Sequence, residues 1–82
     1  MVTVLREAGF RFVIYTDDHE PAHVHVIGAG ELKVALGRGD ELPELVRAIG
    51  MKAGDRRKAM DIVRANQTAL LARWYAIHGG EE

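Results

Sequence analysis

The apolar residues of this chain change their spacing about halfway along its length. Before residue 37 they alternate with polar residues, as in "FRFVI" and "HVHVI", and this is the period of a β-strand with one buried face. From Ala53 to Ile77 they recur at intervals of three and four residues, the period of an amphipathic helix. The switch predicts an α+β domain with its strands first and its helix last.

Turn-forming residues divide the first half into segments. Pro21 has no N–H and holds Glu20 extended, so residues 17–21 should be a connection. Gly28-Ala29-Gly30 is suited to a hairpin turn. The predicted strands are residues 2–7, 10–16, 23–27 and 31–36. Residues 37–43, "GRGDELP", should form a loop, and we interpret "ELVRAIG" (44–50) as one or two helical turns stopped by a glycine.

These elements predict a three- to four-stranded antiparallel sheet with one long C-terminal helix packed on one face. Residues 1–82 should form a single domain, because a chain this short buries only about 60 to 65% of its unfolded surface in one small core. The sheet face away from the helix is expected to be open.

Composition excludes several classes of protein. A formal net charge of -1 argues against binding nucleic acid through bulk charge. The absence of cysteine removes disulfides and thiolate chemistry and fits a cytoplasmic protein. No apolar run reaches the roughly 18 residues of a membrane span, and the N-terminus lacks signal-peptide order. We therefore expect a cytoplasmic protein without a membrane partner.

Three of the four histidines fall within "TDDHEPAHVHV", residues 16–26. Strand alternation places His23 and His25 on one face and Val24 and Val26 on the other. Because the valines should face the helix, the histidines should project from the open face. The same rule adds Arg11, Tyr15 and Lys33 to that face.

Three uses of this cluster remain open. His23 and His25 could bind Zn²⁺, Ni²⁺ or Mn²⁺, completed by His19, Asp17 or Asp18. They could instead be catalytic, exchanging protons with an RNA 2′-hydroxyl and a leaving oxygen while Arg11, Tyr15 or Lys33 support the reaction. The third use is structural, with exposed histidines that hydrogen-bond to loop carboxylates and help an interface.

The start of the long helix is basic. Lys52, Arg56, Arg57 and Lys58 lie around its first turns, where the helix dipole disfavours cations. This conflict indicates a contact for an anion or a nucleic acid, and a solvated face with spaced ion pairs is the alternative. Lys52-Ala53-Gly54 offers no good N-cap.

The motif E-P-x-H-V-H-V at residues 20–26, supported by N-x₃-L-L-x₂-W at 66–74, resembles the bacterial family called domain of unknown function 4160. The resemblance covers about residues 2–78. It implies a small bacterial protein, encoded beside a second small protein in a toxin-antitoxin-like gene pair. It marks Glu20, Pro21, His23 and His25 as the motif.

We therefore expect a member of such a module that binds protein or nucleic acid through its histidine-bearing sheet face. The expected partner is the neighbouring antitoxin-like protein, with RNA, DNA or a second copy of the chain as alternatives. The rival hypothesis is an RNA-cleaving or metal-dependent toxin enzyme that uses His23 and His25, so the sequence leaves open whether the protein is an enzyme.

Overall fold

The protein is described by a computed structural model over residues 1–79. It has the expected α+β architecture, with five strands followed by two helices. The elements are β1 (Val2–Glu7), β2 (Phe10–Ile14), β3 (His23–Gly28), β4 (Gly30–Ala35), β5 (Glu44–Ile49), α1 (Ala53–Ala65) and α2 (Gln67–His78).

The five strands form one antiparallel meander in the order β1-β2-β3-β4-β5. The predicted hairpin between β3 and β4 is present, with Gly28 directly opposite Gly30. The register shifts between Thr3 and Leu5 in β1, and again in β5, where Val46 is the extra residue between Leu45 and Arg47. These bulges bend the two edge strands.

The prediction of helical turns at residues 44–50 is wrong, because this segment is β5, which raises the predicted three or four strands to five. Its register runs from Ala35 opposite Glu44 to Glu31 opposite Ile49. All six residues are exposed, so no buried face imposed an alternating pattern. Backbone pairing with β4 determines the structure here.

The single long helix predicted from Ala53 to Ile77 is instead two helices separated at Asn66. The Asn66 side-chain Nδ2 donates to the Ile62 carbonyl at 2.8 Å, and its backbone N–H lies 3.1 Å from the carbonyls of both Ile62 and Val63. The backbone of Asn66, with φ −114° and ψ 12°, leaves the helical conformation and divides α1 from α2. The start of α1 is as expected, since Lys52 provides no side-chain cap, and α2 ends at Gly79, which adopts a left-handed conformation.

The core lies between the helices and one face of the sheet. Val24 and Val26 face the helices as predicted, and Trp74 on α2 is a core residue with 1% exposure. The remaining core side chains come mainly from β2, β4 and both helices: Phe10, Phe12, Ile14, Leu32, Val34, Ile62, Val63 and Leu70. Within residues 1–79, neither helix has the length and apolar character needed to cross a membrane.

Candidate functional site

The face of the sheet opposite the core carries Val13, His25 and Lys33 side by side across β2, β3 and β4. We call it the histidine face. It was expected to be open, but His23 and His25 are only 5% and 6% exposed. The connection after β2 covers them. Asp18 contacts both rings, and the centroid of the Tyr15 ring lies 4.6 Å from that of His25 in an edge-to-face contact.

Asp18 joins the two histidines into one cluster. Its Oδ2 lies 3.0 Å from Nε2 of His23 and 3.3 Å from Nε2 of His25. The carboxylate and the two imidazoles each offer an atom within 4.8 Å of the others. We refer to Asp18, His23 and His25 as the Asp18 cluster.

The tautomer of His23 follows from its second ring nitrogen. Nδ1 lies 2.9 Å from the carbonyl oxygen of Pro21. A carbonyl can only accept, so Nδ1 carries the proton and donates it. In the neutral ring, Nε2 therefore presents a lone pair to Asp18.

His25 lies between two carboxylates. Its Nε2 faces Asp18, and its Nδ1 lies 3.5 Å from Oε2 of Glu31 without hydrogen-bond geometry. Burial lowers the pKa of His25 below its ordinary 6.5, and nearby His23 lowers it further, while Asp18 and Glu31 oppose the shift. The neutral imidazole is thus favoured, and one of its nitrogens must present a lone pair to a carboxylate.

A cleft of about 420 Å³ opens beside the cluster. Asp18 and His23 belong to its wall, so part of the cluster borders the cleft. Asp17 and His19, which were predicted as metal ligands, also line it, but neither joins the group of converging donor atoms. The remaining lining residues are Glu20, Pro21, Lys33, Ala35 and Val46.

The three predicted supporting residues do not lie equally close to the histidines. Tyr15 contacts the His25 ring, and Lys33 is directly opposite His25 in the sheet. Arg11 pairs with Ile27, two residues farther along β3. Proton transfer on opposite sides of a phosphorus needs separated imidazoles, whereas both Nε2 atoms here point at the same carboxylate oxygen.

The basic residues at the start of α1 have two roles. Arg56 supports the helix end, because its Nη1 donates to the Met51 carbonyl at 2.6 Å. Lys52, Arg57 and Lys58 are exposed. Three of the four predicted contacts are therefore accessible to an anion.

The sequence did not predict the row of aromatic rings formed by Trp74 and His78, which packs behind the Asp18 cluster. The Trp74 ring lies 5.1 Å from that of His23 and stacks at 3.8 Å on His78. Trp74 and His78 are four residues apart on α2, so their contact could have been anticipated. That this row reaches His23 depends on how α2 is placed against the sheet.

Glu31 was also missed, although it shares a face with Lys33 by simple alternation and could have been placed beside the histidines.

Comparison with protein families gives this arrangement its context. The family model described as "Domain of unknown function (DUF4160)" matches residues 9–75. The chain belongs to this family. In this DUF4160 protein the match contains the whole Asp18 cluster and reaches Tyr75 on α2. Searches of curated proteins and of solved structures found no match.

Proposed function

We propose that this DUF4160 protein acts by binding, and that its partner is the small, acidic protein encoded beside it in a toxin-antitoxin-like module. The observation that carries the proposal is the exposed apolar edge strand β5. The partner adds a strand to this edge, and its side chains reach the cleft next to the Asp18 cluster.

The β5 edge exposes more apolar surface than a solitary domain needs. Val46 and Ile49 are 54% and 56% exposed, and Leu42 just before the strand is 63% exposed. Within residues 1–79 no strand pairs with the outer edge of β5. Val46 and Ile49 stay exposed although β5 has a bulge and the charge of Arg47, both of which protect an edge strand. An added strand would bury these apolar side chains.

The charges near β5 favour an acidic partner. Lys33 and Arg47 are directly opposite each other in the sheet, and like charges at such positions are destabilising. Neither forms a salt bridge within the described part of the chain. The exposed Lys52, Arg57 and Lys58 follow a few residues after β5. A carboxylate on the partner strand would relieve the repulsion between Lys33 and Arg47.

The cleft connects this edge to the histidines. Val46 on β5 and His23 on β3 both line it. A partner strand paired with β5 would therefore place side chains near the Asp18 cluster without opening the core.

The test is binding of the neighbouring gene product, measured by calorimetry with purified proteins. Val46→Glu places a like charge in the interface with the acidic partner, and we expect it to weaken binding at least about tenfold, a change of ~1.4 kcal/mol. Ala72→Glu is the matched control, because residue 72 is exposed on α2 and gains the same charge. It should bind as the natural sequence does.

Three results would contradict the proposal. One is equal binding by Val46→Glu and the natural sequence. The other is a chain that is already a dimer by light scattering and becomes a monomer in Val46→Glu, which would assign β5 to self-association. Binding to RNA with no binding to the neighbouring protein would move the function to nucleic acid.

The alternative function is the RNA-cleaving or metal-dependent enzyme, and the observation in its favour is the pairing of His23 and His25 with Asp18 beside a cleft. It predicts growth arrest on induction that His25→Ala abolishes. The matched Ala72→Glu variant should still arrest growth. Harmless expression of the natural sequence would exclude this alternative.

A further inference from the structure

With both imidazoles neutral, the Asp18 cluster brings nitrogen and oxygen electron-pair donors close together. Nε2 of His23 lies 3.0 Å from Oδ2 of Asp18. The Nδ1 proton of His23 is committed to the Pro21 carbonyl, so in the neutral ring two lone pairs meet at this distance. Such an arrangement is repulsive unless a proton or a metal ion lies between the two atoms.

Nε2 of His25 lies 3.3 Å from the same Oδ2. It donates a hydrogen bond to Asp18 when it carries the ring proton, and it presents a lone pair when the proton is on Nδ1. Both histidines direct Nε2 to the same carboxylate, and His23 also has an oxygen acceptor, the Pro21 carbonyl, at its Nδ1. Metal-binding histidines commonly have this outer contact, which fixes the tautomer and orients the ring.

We propose that Asp18, His23 and His25 bind one divalent first-row transition-metal ion through Oδ2 and the two Nε2 atoms. Two imidazoles and one carboxylate suit Zn²⁺ and similar ions, and disfavour Mg²⁺ and Ca²⁺, which prefer all-oxygen ligands. The Pro21 carbonyl is the outer contact of His23, and Oε2 of Glu31 lies 3.5 Å from Nδ1 of His25. This metal site does not depend on the β5 partner.

The spacing of the donor atoms fits such an ion. Tetrahedral Zn²⁺ with bonds of about 2.0 to 2.2 Å separates its ligand atoms by roughly 3.4 Å. The two measured separations from Asp18 are 3.0 and 3.3 Å, so small side-chain movements suffice. Both imidazoles are more than nine-tenths buried, and burial protects the bonds from competing water.

The cleft gives the ion an accessible position. Three protein ligands leave a fourth tetrahedral position, as catalytic rather than structural zinc sites do. Asp18 and His23 border the cleft, and Lys33 lines it. A water molecule or a small anion is the chemical class of ligand that this position would accept.

Calorimetric titration of the full-length, untagged chain with Zn²⁺ tests the site. We expect one ion per chain, and no heat with Mg²⁺. Asp18→Asn should weaken Zn²⁺ binding by more than about tenfold, because loss of an outer contact alone typically costs 10- to 100-fold. Asp17→Asn is the matched control, since Asp17 lines the same cleft outside the cluster, and it should bind normally.

A second measurement on the natural sequence removes any dependence on how the variants fold. During Zn²⁺ titration, the ¹⁵N chemical shifts of Nε2 in His23 and His25 should change. Those of His19 and His78 should stay the same. Absence of stoichiometric binding, shifts confined to His19, or a protonated His23 that persists with added Zn²⁺ would each overturn the proposal. The partner-binding assay is separate, so failure of one leaves the other standing.

Discussion

At the scale of single residues, alternation predicted which histidines share a face, and the structure confirms that His23 and His25 do. It could not choose among Asp17, Asp18 and His19, because a connection between strands has no fixed period. The turn hydrogen bond from the Asp18 N–H to the Tyr15 carbonyl, 3.1 Å long, brings Asp18 back over the sheet. Folding of that connection also buries the imidazoles, which strand alternation alone left exposed.

Gly30 is the residue whose backbone the fold constrains most tightly. Its φ is +128°, and a Cβ there would lie 2.6 Å from backbone atoms of Gly50 and 2.7 Å from the Met51 nitrogen. Gly30→Ala should therefore lower the free energy of unfolding by about 2 kcal/mol or more, because the strain and the backbone clash add. Urea denaturation measures the loss.

Gly54→Ala is the control for that substitution. Gly54 lies in the first turn of α1, and a Cβ there would meet nothing within 4 Å. Alanine should stabilise the fold by roughly 0.5 to 1 kcal/mol. Equal effects at the two glycines would contradict the close approach of the β3–β4 turn to the start of α1.

At the scale of elements, the period of apolar residues predicted β1 to β4 and missed β5. Leu45, Val46, Ala48 and Ile49 fit a short helix as well as a strand, and the bulge at Val46 breaks alternation. The break at Asn66 was equally hidden, because apolar spacing continues across it. The spacing of apolar residues indicates which side chains are buried. It therefore does not predict a strand that is exposed on both faces or a helix break accompanied by a side-chain hydrogen bond.

The Gln67 side chain connects α2 to the loop between β4 and β5 through two hydrogen bonds. Its Oε1 accepts from the Gly37 N–H at 2.8 Å, and its Nε2 donates to the Glu41 carbonyl at 2.8 Å. Gln67→Ala should cost about 1 to 3 kcal/mol of stability, because a buried N–H loses its partner.

Amide hydrogen exchange provides the specific readout for this contact. Exchange at Gly37 should accelerate more in Gln67→Ala than exchange in the central strands. Thr68→Ala, at an exposed neighbour on α2, should change neither stability nor exchange at Gly37. Unaltered protection of Gly37 in Gln67→Ala would rule out the contact.

At the scale of the whole molecule, the two faces of the five-stranded sheet pack against different parts of the chain. The core face packs β2, β3 and β4 against both helices. The histidine face is covered in part by the connection that follows β2, and it ends at the exposed edge of β5. The α+β class and single core follow from the change in apolar period, whereas burial of the histidines depends on contacts between distant segments.

In this account the sheet orients the proposed ligands of a single metal ion beside the proposed partner-binding edge. Two of the cluster's residues are neighbours on β3, so their spacing is fixed by the strand. The third arrives from a connection tied to the same sheet. Metal binding should therefore require little rearrangement of the fold.

The central claim is that Asp18, His23 and His25 bind one metal ion, and X-ray anomalous scattering tests it most directly. Crystals of the untagged protein grown with Zn²⁺ should be measured on both sides of the zinc absorption edge. The account predicts one anomalous peak per chain, about 2.0 to 2.2 Å from Oδ2 of Asp18 and from Nε2 of each histidine. Zinc found only at His19, at His78 or between lattice neighbours would contradict it.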